Sequence, residues 1–324
     1  MNLVGIKIIG SGHCVPATKL SNRHLESIVD TTDEWIFTRT GISSRYLVTT
    51  EDTNDLAYGA ARCAIESAAI DPTEIGLIIV ATFTPEQLTP STACLVQARL
   101  GLNQQPVIAF DMNAACTGFV YALVTAEQFL KSSKIKKALV IGAEVLSKIM
   151  DWNDRSTCVL FGDGAGAVVI EWDEVDSPSF YLNCEGDGDV LGTSKLPVNN
   201  PLHQTGTSPI SFHMNGASVF KFAVTAIKET VTTLLMENNL TLEEIDLIIP
   251  HQANKRIIDK VVKDLNASPE QFFLNVSEYG NTSAASIPIA LNEAIKKQRI
   301  KAGNRVMLVG FGGGLTWGGC IVSI

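Results

Sequence analysis

An apolar segment that occurs twice is the feature that most constrains the fold of this chain. Residues 74–79 read Glu-Ile-Gly-Leu-Ile-Ile, and residues 244–249 read Glu-Ile-Asp-Leu-Ile-Ile. A second apolar segment at 139–142 is matched by a similar one at 307–310, and both pairs are separated by roughly 170 residues. Apolar runs of this kind are typical of strands buried on both faces of a sheet. A repeat this long predicts two similar α/β halves rather than a solenoid of short repeats.

The length and composition of the chain fit two such units. The sequence has 324 residues, of which 46% are hydrophobic, and a chain of this size can bury a large core. We predict an N-terminal half at 1–173, which carries the candidate nucleophile, and a second unit at 174–324, which begins with a linker. Residues 173–212 are rich in Asp, Gly, Asn, Pro and Ser, which predicts an irregular connection between the halves.

Composition also argues against several classes of protein. A net charge of −9 argues against nucleic acid as a partner. Seven cysteines without a Cys-x-x-Cys pair argue against a disulfide framework and against a zinc site, so we expect no bound metal. No run reaches the roughly 18 apolar residues that a membrane span requires. Residues 1–10 read as a short strand and lack the features of a signal peptide, so we expect a cytoplasmic protein.

Cys116 is the candidate nucleophile. The residues before it, 107–110, are apolar and strand-like, and residues 118–131 carry apolar side chains at helical spacing. Cys116 therefore lies where a strand leads into a helix, and the positive end of the helix dipole favours a thiolate over a thiol. The alternative is a buried structural cysteine, the usual role of a free cysteine in a core.

His251 and Asn281 are the candidate partners of Cys116. Each follows an apolar segment in the second half, and Cys116 holds the matching position in the first half. Because open α/β sheets bind ligands at the carboxyl ends of their strands, we expect the three side chains to converge. A Cys/His/Asn set fits a thiol protease or amidase. It also fits an acyl transferase that forms carbon–carbon bonds through a thioester, and the residues alone leave both readings open.

Two further segments are candidates for binding a charged ligand or partner. Trp35 and Arg39 are four residues apart, which on a helix places an aromatic ring and a guanidinium on one face, suited to a base and a phosphate. The alternative is a surface pair whose side chains pack on each other. A second helical segment carries the cations Lys255, Arg256, Lys260 and Lys263. In so acidic a chain, this cluster favours a landing site for an acidic or phosphate-bearing partner over a merely solvated face.

Four motifs carry a family resemblance. They are Asp-x-Asn-Ala-Ala-Cys-x-Gly-Phe at 111–119, His-Gln-Ala-Asn-x-Arg-Ile at 251–257, Gly-Asn-Thr-Ser-Ala-Ala-Ser at 280–286 and Phe-Gly-Gly-Gly-x-Thr-Trp-Gly at 311–318. The set resembles the β-ketoacyl-acyl carrier protein synthase III family of the thiolase superfamily. Segments 33–42 and 154–166 extend the resemblance, so that it covers essentially the whole chain in order.

The resemblance implies both a fold and a reaction. The implied fold is thiolase-like α/β, with two duplicated α/β halves that form a five-layered α-β-α-β-α core. The implied reaction initiates fatty acid biosynthesis. It is a decarboxylative Claisen condensation of an acyl-CoA primer with malonyl-acyl carrier protein through an acyl-Cys116 intermediate. Acyl-CoA is then a substrate, no cofactor is needed, and a homodimer is expected.

The resemblance also implies roles for individual residues. Cys116 attacks the primer, and the backbone N–H groups of Cys116 and Gly313 hold the oxyanion. His251 and Asn281 stabilise the enolate, and Phe311 lines the place where the carboxylate is released. The residues implied to bind CoA are Trp35, Arg39, Arg155, Gly216, Phe220 and Asn254. The residues implied to contact the acyl carrier protein are Lys221, Arg256 and Lys263.

One position departs from a common pattern of the family. Many members that use short primers have an aromatic residue where this chain has Thr89, and that residue closes the primer pocket across the dimer interface. Thr89 therefore predicts acceptance of primers longer or more branched than acetyl.

Three alternative functions are considered: a condensing enzyme of specialised ketide synthesis, a Cys/His/Asn thiol hydrolase, and a non-catalytic binding subunit. The presence of all three candidate residues disfavours the last.

Overall fold

A computed structural model describes residues 6–172, 179–205 and 209–324, so residues 1–5 of the strand expected at 1–10 lie outside the described residues. The strands are β1 Ile6–Cys14, β2 Thr18–Ser21, β3 Ser44–Leu47, β4 Ile75–Ala81, β5 Ile108–Met112, β6 Lys137–Glu144, β7 Gly164–Trp172, β8 Phe180–Asp187, β9 Leu191–Thr193, β10 Asn199–Asn200, β11 His203–Gln204, β12 Phe212–Met214, β13 Leu247–Pro250, β14 Arg305–Gly312 and β15 Gly314–Ser323. The helices are α1 Asn22–Leu25, α2 Asp33–Thr40, α3 Thr53–Ala68, α4 Thr92–Arg99, α5 Gly118–Ser132, α6 Gly216–Glu237, α7 Lys255–Asp264, α8 Val276–Tyr279 and α9 Ser286–Lys296.

The main strands form two sheets of the same design. In the first half the order is β5-β4-β6-β7-β1, and in the second half it is β13-β14-β15-β8. β4 pairs in parallel with β6, as β13 does with β14, and β6 and β14 each pair antiparallel with the next strand, β7 or β15. One pairing of β1 with β15, at Lys7 and Ser323, joins the two sheets into a continuous set of nine hydrogen-bonded strands. The duplication predicted from the repeated segments is therefore confirmed.

Helices cover both faces of each sheet, because alternate side chains of the central strands point to opposite faces. In β4, Leu77 and Ile79 pack on α5 and α9 in the centre of the molecule. Ile78 and Val80 of the same strand pack outwards on α3 and α4. The second sheet packs its inner face on the same central helices, and Ile248 of β13 packs outwards with α6 and α7. The layers follow the α-β-α-β-α order that the resemblance implied.

The outer helices are amphipathic rather than apolar throughout. α6 buries Ala223, Ile227 and Val231 with the second sheet, while Lys221 and Thr225 on its other side are exposed. A helix with one apolar stripe packs on a sheet and keeps its polar side in water. No helix in the described part of the chain is long and apolar enough to cross a membrane.

Two short turns of the same backbone shape precede the central helices. Residues Ala115–Thr117, which we call the cysteine turn, lead into α5, and Ser283–Ala285, the serine turn, lead into α9. The first residue of each turn has a left-handed backbone, with φ of 46° at Ala115 and 49° at Ser283. Residues that carry a Cβ adopt this conformation uncommonly. Its presence at both places, together with the matching helices, identifies the turns as counterparts in the two halves.

Each half supplies a glycine beneath the turn of the other half. A Cβ built on Gly142 of β6 would lie 2.2 Å from the carbonyl oxygen of Ala284 in the serine turn. A Cβ built on Gly310 of β14 would lie 3.1 Å from the Cα of Thr117 in the cysteine turn. The missing side chains let each turn approach the opposite sheet closely. The two turns therefore lie side by side between the sheets.

The connection at 173–212 is more regular than predicted. β8 lies within it and forms an edge of the second sheet by pairing with β15, and β9 pairs with β12 at its far end. Every side chain of β8 is exposed or half-buried, so this strand lacks the apolar pattern that revealed β4 and β13. The prediction of an irregular connection is wrong for β8. Residues 173–178 and 206–208 lie outside the described residues, and the division at 173/174 stays a prediction.

Candidate active site

Cys116 lies at the centre of the cysteine turn, between β5 and α5, where the sequence predicted a junction of strand and helix. The residue is only 8% exposed, and Ser283 Oγ donates a hydrogen bond to its Sγ across 3.2 Å. Burial raises the pKa of the Cys116 thiol to about 12, although the Ser283 hydroxyl and the backbone N–H groups of Cys116 and Gly313 act in the opposite direction. The expectation of a favoured thiolate is therefore wrong, because desolvation of the charged sulfur outweighs the nearby donors.

Two cavities meet at Cys116. The first brings together predicted site residues from both halves of the chain: Trp35, Arg39, Cys116, Gly216, Phe220, His251, Asn254, Asn281 and Phe311. The second extends on the side of the glycine-rich turn and is lined by Gly313. Three apolar side chains line both cavities, namely Phe161, Leu191 and Phe212. A thiol in this position can take a group from a ligand in one cavity and hold it in the other.

His251 follows the last residue of β13 and is buried, with 1% of the residue exposed. Its Nδ1 lies 2.6 Å from Ser286 Oγ at the start of α9, and the Phe311 ring packs against the imidazole edge to face, 5.0 Å between ring centres. Burial lowers the pKa of His251 to about 3. The ring is therefore neutral near pH 7, and it can offer a hydrogen bond but not a positive charge.

Asn281 is held through its side-chain oxygen. The backbone N–H of Ser283 donates to Asn281 Oδ1 across 2.9 Å, and the backbone N–H of Asn281 donates to the carbonyl oxygen of Leu160 across 2.8 Å. Since the Oδ1 atom accepts this bond, the Nδ2 group, which can only donate, is left for the cavity. Asn281 is thus a second neutral donor in the cavity that His251 lines.

Two threonines fasten the glycine-rich turn to the cysteine turn. Thr117 Oγ1 donates to the carbonyl oxygen of Thr316 across 3.0 Å. Thr316 Oγ1 lies 3.2 Å from the carbonyl oxygen of Ala114 and 3.1 Å from that of Gly313. These contacts keep Gly313 beside Cys116, where its backbone N–H lowers the thiol pKa. An N–H that stabilises a thiolate here can also stabilise an oxyanion on an attached acyl group.

Trp35 lies among cations at the mouth of the first cavity. The guanidinium carbon of Arg39 is 4.6 Å from the centre of the Trp35 ring, and that of Arg155 is 5.3 Å away. Arg155 also donates to the backbone carbonyl of Asp30 across 2.8 Å. The predicted pairing of Trp35 with Arg39 on one helix face is present in α2. Arg155 does not line the cavity but lies beside the ring that does.

The cations of α7 and α6 fall into two groups. Some are held in ion pairs: Lys255 with Asp259 across 2.7 Å, Lys228 with Asp264 across 3.4 Å, and Lys260 with Asp264. Three exposed cations form no ion pair with any residue that the structure describes: Lys221, Arg256 and Lys263. The second group is the one that the resemblance implied for a protein partner, and its charge is available to one.

Thr89 is exposed and lines neither of the two cavities that meet at Cys116.

Sequence reasoning also missed several residues of the site. Ser283 and Ser286 stand in the motif at 280–286, three residues apart at the entrance to a helix, but no role was predicted for them. Leu191 and Phe212 come from the connection that was expected to be irregular. Within the described ranges, no cluster of His, Cys, Asp and Glu could hold a metal ion.

Comparisons with known proteins agree on one family. The family model described as 3-oxoacyl-[acyl-carrier-protein] synthase III matches residues 110–188, and the model of its C-terminal region matches residues 235–324. A β-ketoacyl-[acyl-carrier-protein] synthase III of Clostridium acetobutylicum is 49% identical over 98% of this chain and 98% of its own.

Two solved structures have the same fold as this chain. The 3-oxoacyl-[acyl-carrier-protein] synthase III of Aquifex aeolicus is 46% identical, with a TM-score of 0.90 over 99% of this chain and 100% of its own. The priming β-ketosynthase from the R1128 polyketide biosynthetic pathway is 32% identical, with a TM-score of 0.91 over 98% of this chain and 96% of its own.

Proposed function

Because the chain belongs to the β-ketoacyl-[acyl-carrier-protein] synthase III family, the acyltransferase-type condensing enzymes that initiate fatty acid biosynthesis, we propose that it joins an acyl-CoA primer to malonyl-acyl carrier protein through Cys116. One observation carries the proposal: Cys116, His251 and Asn281 line the same cavity, whose lining also includes the half-buried Trp35 and the exposed Arg39. A buried thiol flanked by two neutral donors fits thioester chemistry.

In the first step, Cys116 takes the acyl group from the primer. The sulfur forms a bond to the thioester carbon, the bond from that carbon to CoA breaks, and the thiol proton leaves with the CoA sulfur. The backbone N–H groups of Cys116 and Gly313 hold the oxyanion of the tetrahedral intermediate. The raised pKa of Cys116 keeps the thiol protonated until a primer arrives, because burial opposes a free thiolate.

In the second step, His251 and Asn281 stabilise the enolate that forms when malonyl-acyl carrier protein loses carbon dioxide. The enolate carbon then attacks the acyl group on Cys116. Two neutral donors suffice because decarboxylation supplies the carbanion without a strong base. Phe311, whose ring packs on His251, provides an apolar wall at the place where the carboxylate is lost.

The substrates are proposed to enter from the side of α2, α6 and α7. Trp35 and Arg155 hold the adenine and Arg39 meets a phosphate, since a flat ring among guanidinium groups suits a nucleotide. The pantetheine arm passes the lining residues Gly216, Phe220 and Asn254. Acyl carrier protein, which is acidic, docks on the unpaired cations Lys221, Arg256 and Lys263.

The primer's acyl chain is assigned to the second cavity. Its lining by Phe83, Phe161, Leu191 and Phe212 is largely apolar, which suits a hydrocarbon chain. Thr89 completes the cavity of a second copy across a homodimer interface, and its small side chain admits primers longer or more branched than acetyl. The reaction needs no cofactor, and we expect it in the cytoplasm.

The test is a reconstitution with radiolabelled acyl-CoA primers of increasing length and branching, together with malonyl-acyl carrier protein. We expect wild type to form an acyl-enzyme and a β-ketoacyl product, and Cys116→Ala to form neither. Absence of both from wild type refutes the proposed reaction. A strict preference for acetyl-CoA refutes the role of Thr89 and leaves the reaction standing.

A second candidate is the priming step of specialised ketide synthesis. The similarity to the priming β-ketosynthase of the R1128 pathway supports it. The same assay separates the two functions when a fatty-acid carrier protein and a polyketide carrier protein compete for the enzyme. A preference for the polyketide carrier favours the second candidate. A thiol hydrolase would instead cleave peptides or amides without any CoA ester.

A further inference from the structure

The serine turn carries a buried hydroxyl that the two steps above do not use. Ser283 is 1% exposed, and its Oγ lies 3.2 Å from the sulfur of Cys116. We propose that Ser283 is a further catalytic residue, whose hydroxyl donates a hydrogen bond to the Cys116 sulfur when that sulfur attacks the primer and again when it leaves the acyl group. The proposal rests on the condensing reaction set out above and deepens it.

The backbone of Ser283 is arranged for two contacts at once. With φ of 49°, the residue holds a conformation that costs free energy for any residue with a Cβ, and such conformations cluster at functional sites. Its hydroxyl donates to Cys116 while its backbone N–H donates to Asn281 Oδ1 across 2.9 Å. One residue therefore links the nucleophile of the first step to a donor of the second.

A hydrogen-bond donor to the Cys116 sulfur is useful in both steps of the reaction. In the first step the sulfur gains a bond to the acyl carbon, and its proton departs with CoA. In the second step the carbon–carbon bond forms, the bond from acyl carbon to sulfur breaks, and its electron pair returns to Cys116 as a thiolate. Ser283 keeps its own proton throughout, and the thiolate takes a proton from water before the next turnover.

A hydrogen bond to charged sulfur is stronger than one to a neutral thiol, so this donor favours the charged form. Burial raises the pKa of Cys116, and the Ser283 hydrogen bond is the largest influence that lowers it. The backbone N–H groups nearby act in the same direction with smaller effect. Ser283 thus offsets part of the cost of forming a thiolate in a buried turn.

The test measures the reactivity of Cys116 without any CoA substrate. Iodoacetamide alkylation of the Cys116 peptide, followed by mass spectrometry at fixed pH, reports the thiolate fraction. We expect Ser283→Gly and Ser283→Ala to slow alkylation about 10- to 100-fold, because a lost hydrogen bond to a charged group raises the thiol pKa by about one to two units. Single-turnover acylation by labelled acyl-CoA falls with it, by about 10-fold or more.

The two variants separate the hydroxyl from the backbone. Glycine adopts a positive φ freely, so Ser283→Gly keeps the turn even where Ser283→Ala strains it. Alkylation of Ser283→Gly within twofold of wild type overturns the proposal. Ser286→Ala removes a hydroxyl three residues later that contacts His251 rather than Cys116, and we expect its alkylation rate to stay within twofold of wild type. Equal slowing in Ser286→Ala would also overturn the proposal, because the effect would not be specific to the sulfur contact.

Failure of the proposed reaction gives a different result. A wild-type protein that forms no acyl-enzyme from any primer refutes that reaction. The alkylation rates would still report whether Ser283 contacts a thiolate, because alkylation requires no CoA ester.

Discussion

The cysteine turn and the serine turn have the same backbone conformation but carry different functional groups. Each begins with a left-handed residue and leads into a central helix. The middle residue is Cys116 in one turn and Ala284 in the other. The first turn provides the sulfur, and the second provides Ser283, whose hydroxyl donates to that sulfur and whose backbone N–H donates to Asn281.

This difference shows that the duplicated fold determines the position of each turn, while individual side chains determine its chemistry. The helices that follow begin with Gly118 in the first half and Ser286 in the second. Only the second start carries a hydroxyl, and that hydroxyl contacts His251. In the proposed reaction the two halves therefore have different tasks: the first carries the acyl group, and the second stabilises the incoming carbanion.

Removal of a donor from the second half tests this division with the largest expected effect. In Asn281→Ala we expect acyl-enzyme formation within about threefold of wild type and a fall in condensation of about 10²–10³-fold, the usual cost of one lost oxyanion donor. Rapid-quench measurement of acyl-Cys116, beside product formation from malonyl-acyl carrier protein, separates the steps. His251→Ala should show the same split. Equal loss of both steps in these variants would contradict the division of roles.

Replacing each of the two buried glycines, Gly142 and Gly310, by alanine tests how closely the serine turn and the cysteine turn pack on the opposite sheet. Gly142→Ala places a Cβ 2.2 Å from a backbone oxygen of the serine turn, whereas Gly310→Ala meets Thr117 at 3.0 Å or more. Overpacking costs about 1–3 kcal/mol, so we expect Gly142→Ala near or above the upper value and Gly310→Ala near the lower. Urea unfolding of both variants measures the free energies. A larger loss of unfolding free energy in Gly310→Ala than in Gly142→Ala would show that the serine turn can move away from an added Cβ more easily than its contacts indicate.

The equivalent strands β6 and β14 end in different residues, Glu144 and Gly312. Only the first of these residues can titrate, so the end of β6 makes the stability of the protein depend on pH. Burial raises the pKa of Glu144 to about 8, so the folded protein holds a proton that the unfolded chain loses above its own, lower pKa. Stability is then lost as pH rises toward 8. Relative to Glu144→Gln, we expect the free energy of unfolding of wild type to fall by up to about 1.4 kcal/mol per pH unit between pH 5 and 8. Urea titrations at four pH values measure it, and parallel curves for the two proteins would exclude a buried neutral carboxyl.

The smallest effect concerns the surface of the second half. We expect Lys263→Ala to raise the KM for malonyl-acyl carrier protein about three- to fivefold at low salt without changing kcat, because an exposed charge mainly steers association. Lys255→Ala is the matched control on the same helix, since Lys255 is already paired with Asp259. Its KM should change less than twofold. A KM for Lys263→Ala within twofold of wild type would contradict docking of the carrier protein at Lys263.

The sequence predicted those parts of the molecule that depend on local pattern. β4 and β13 were recognisable because their side chains are apolar on both faces, and the helix after Cys116 because residues 118–131 carry apolar side chains at helical spacing. β8 was missed because it is an edge strand with exposed side chains. The pKa of Cys116 was predicted in the wrong direction, since burial depends on contacts from the other half. The Ser283 contact was missed for the same reason, because 167 residues separate it from Cys116.

The reciprocal glycines make the packing of each half depend on the other half. Gly142 lies under the turn of the second half, and Gly310 lies under the turn of the first. A chain with only one half would expose a bare glycine groove and an uncovered turn. Two copies of that half, related by a twofold axis, would cover both. Both halves are therefore required for either turn to be covered, whether the halves belong to one chain or to two.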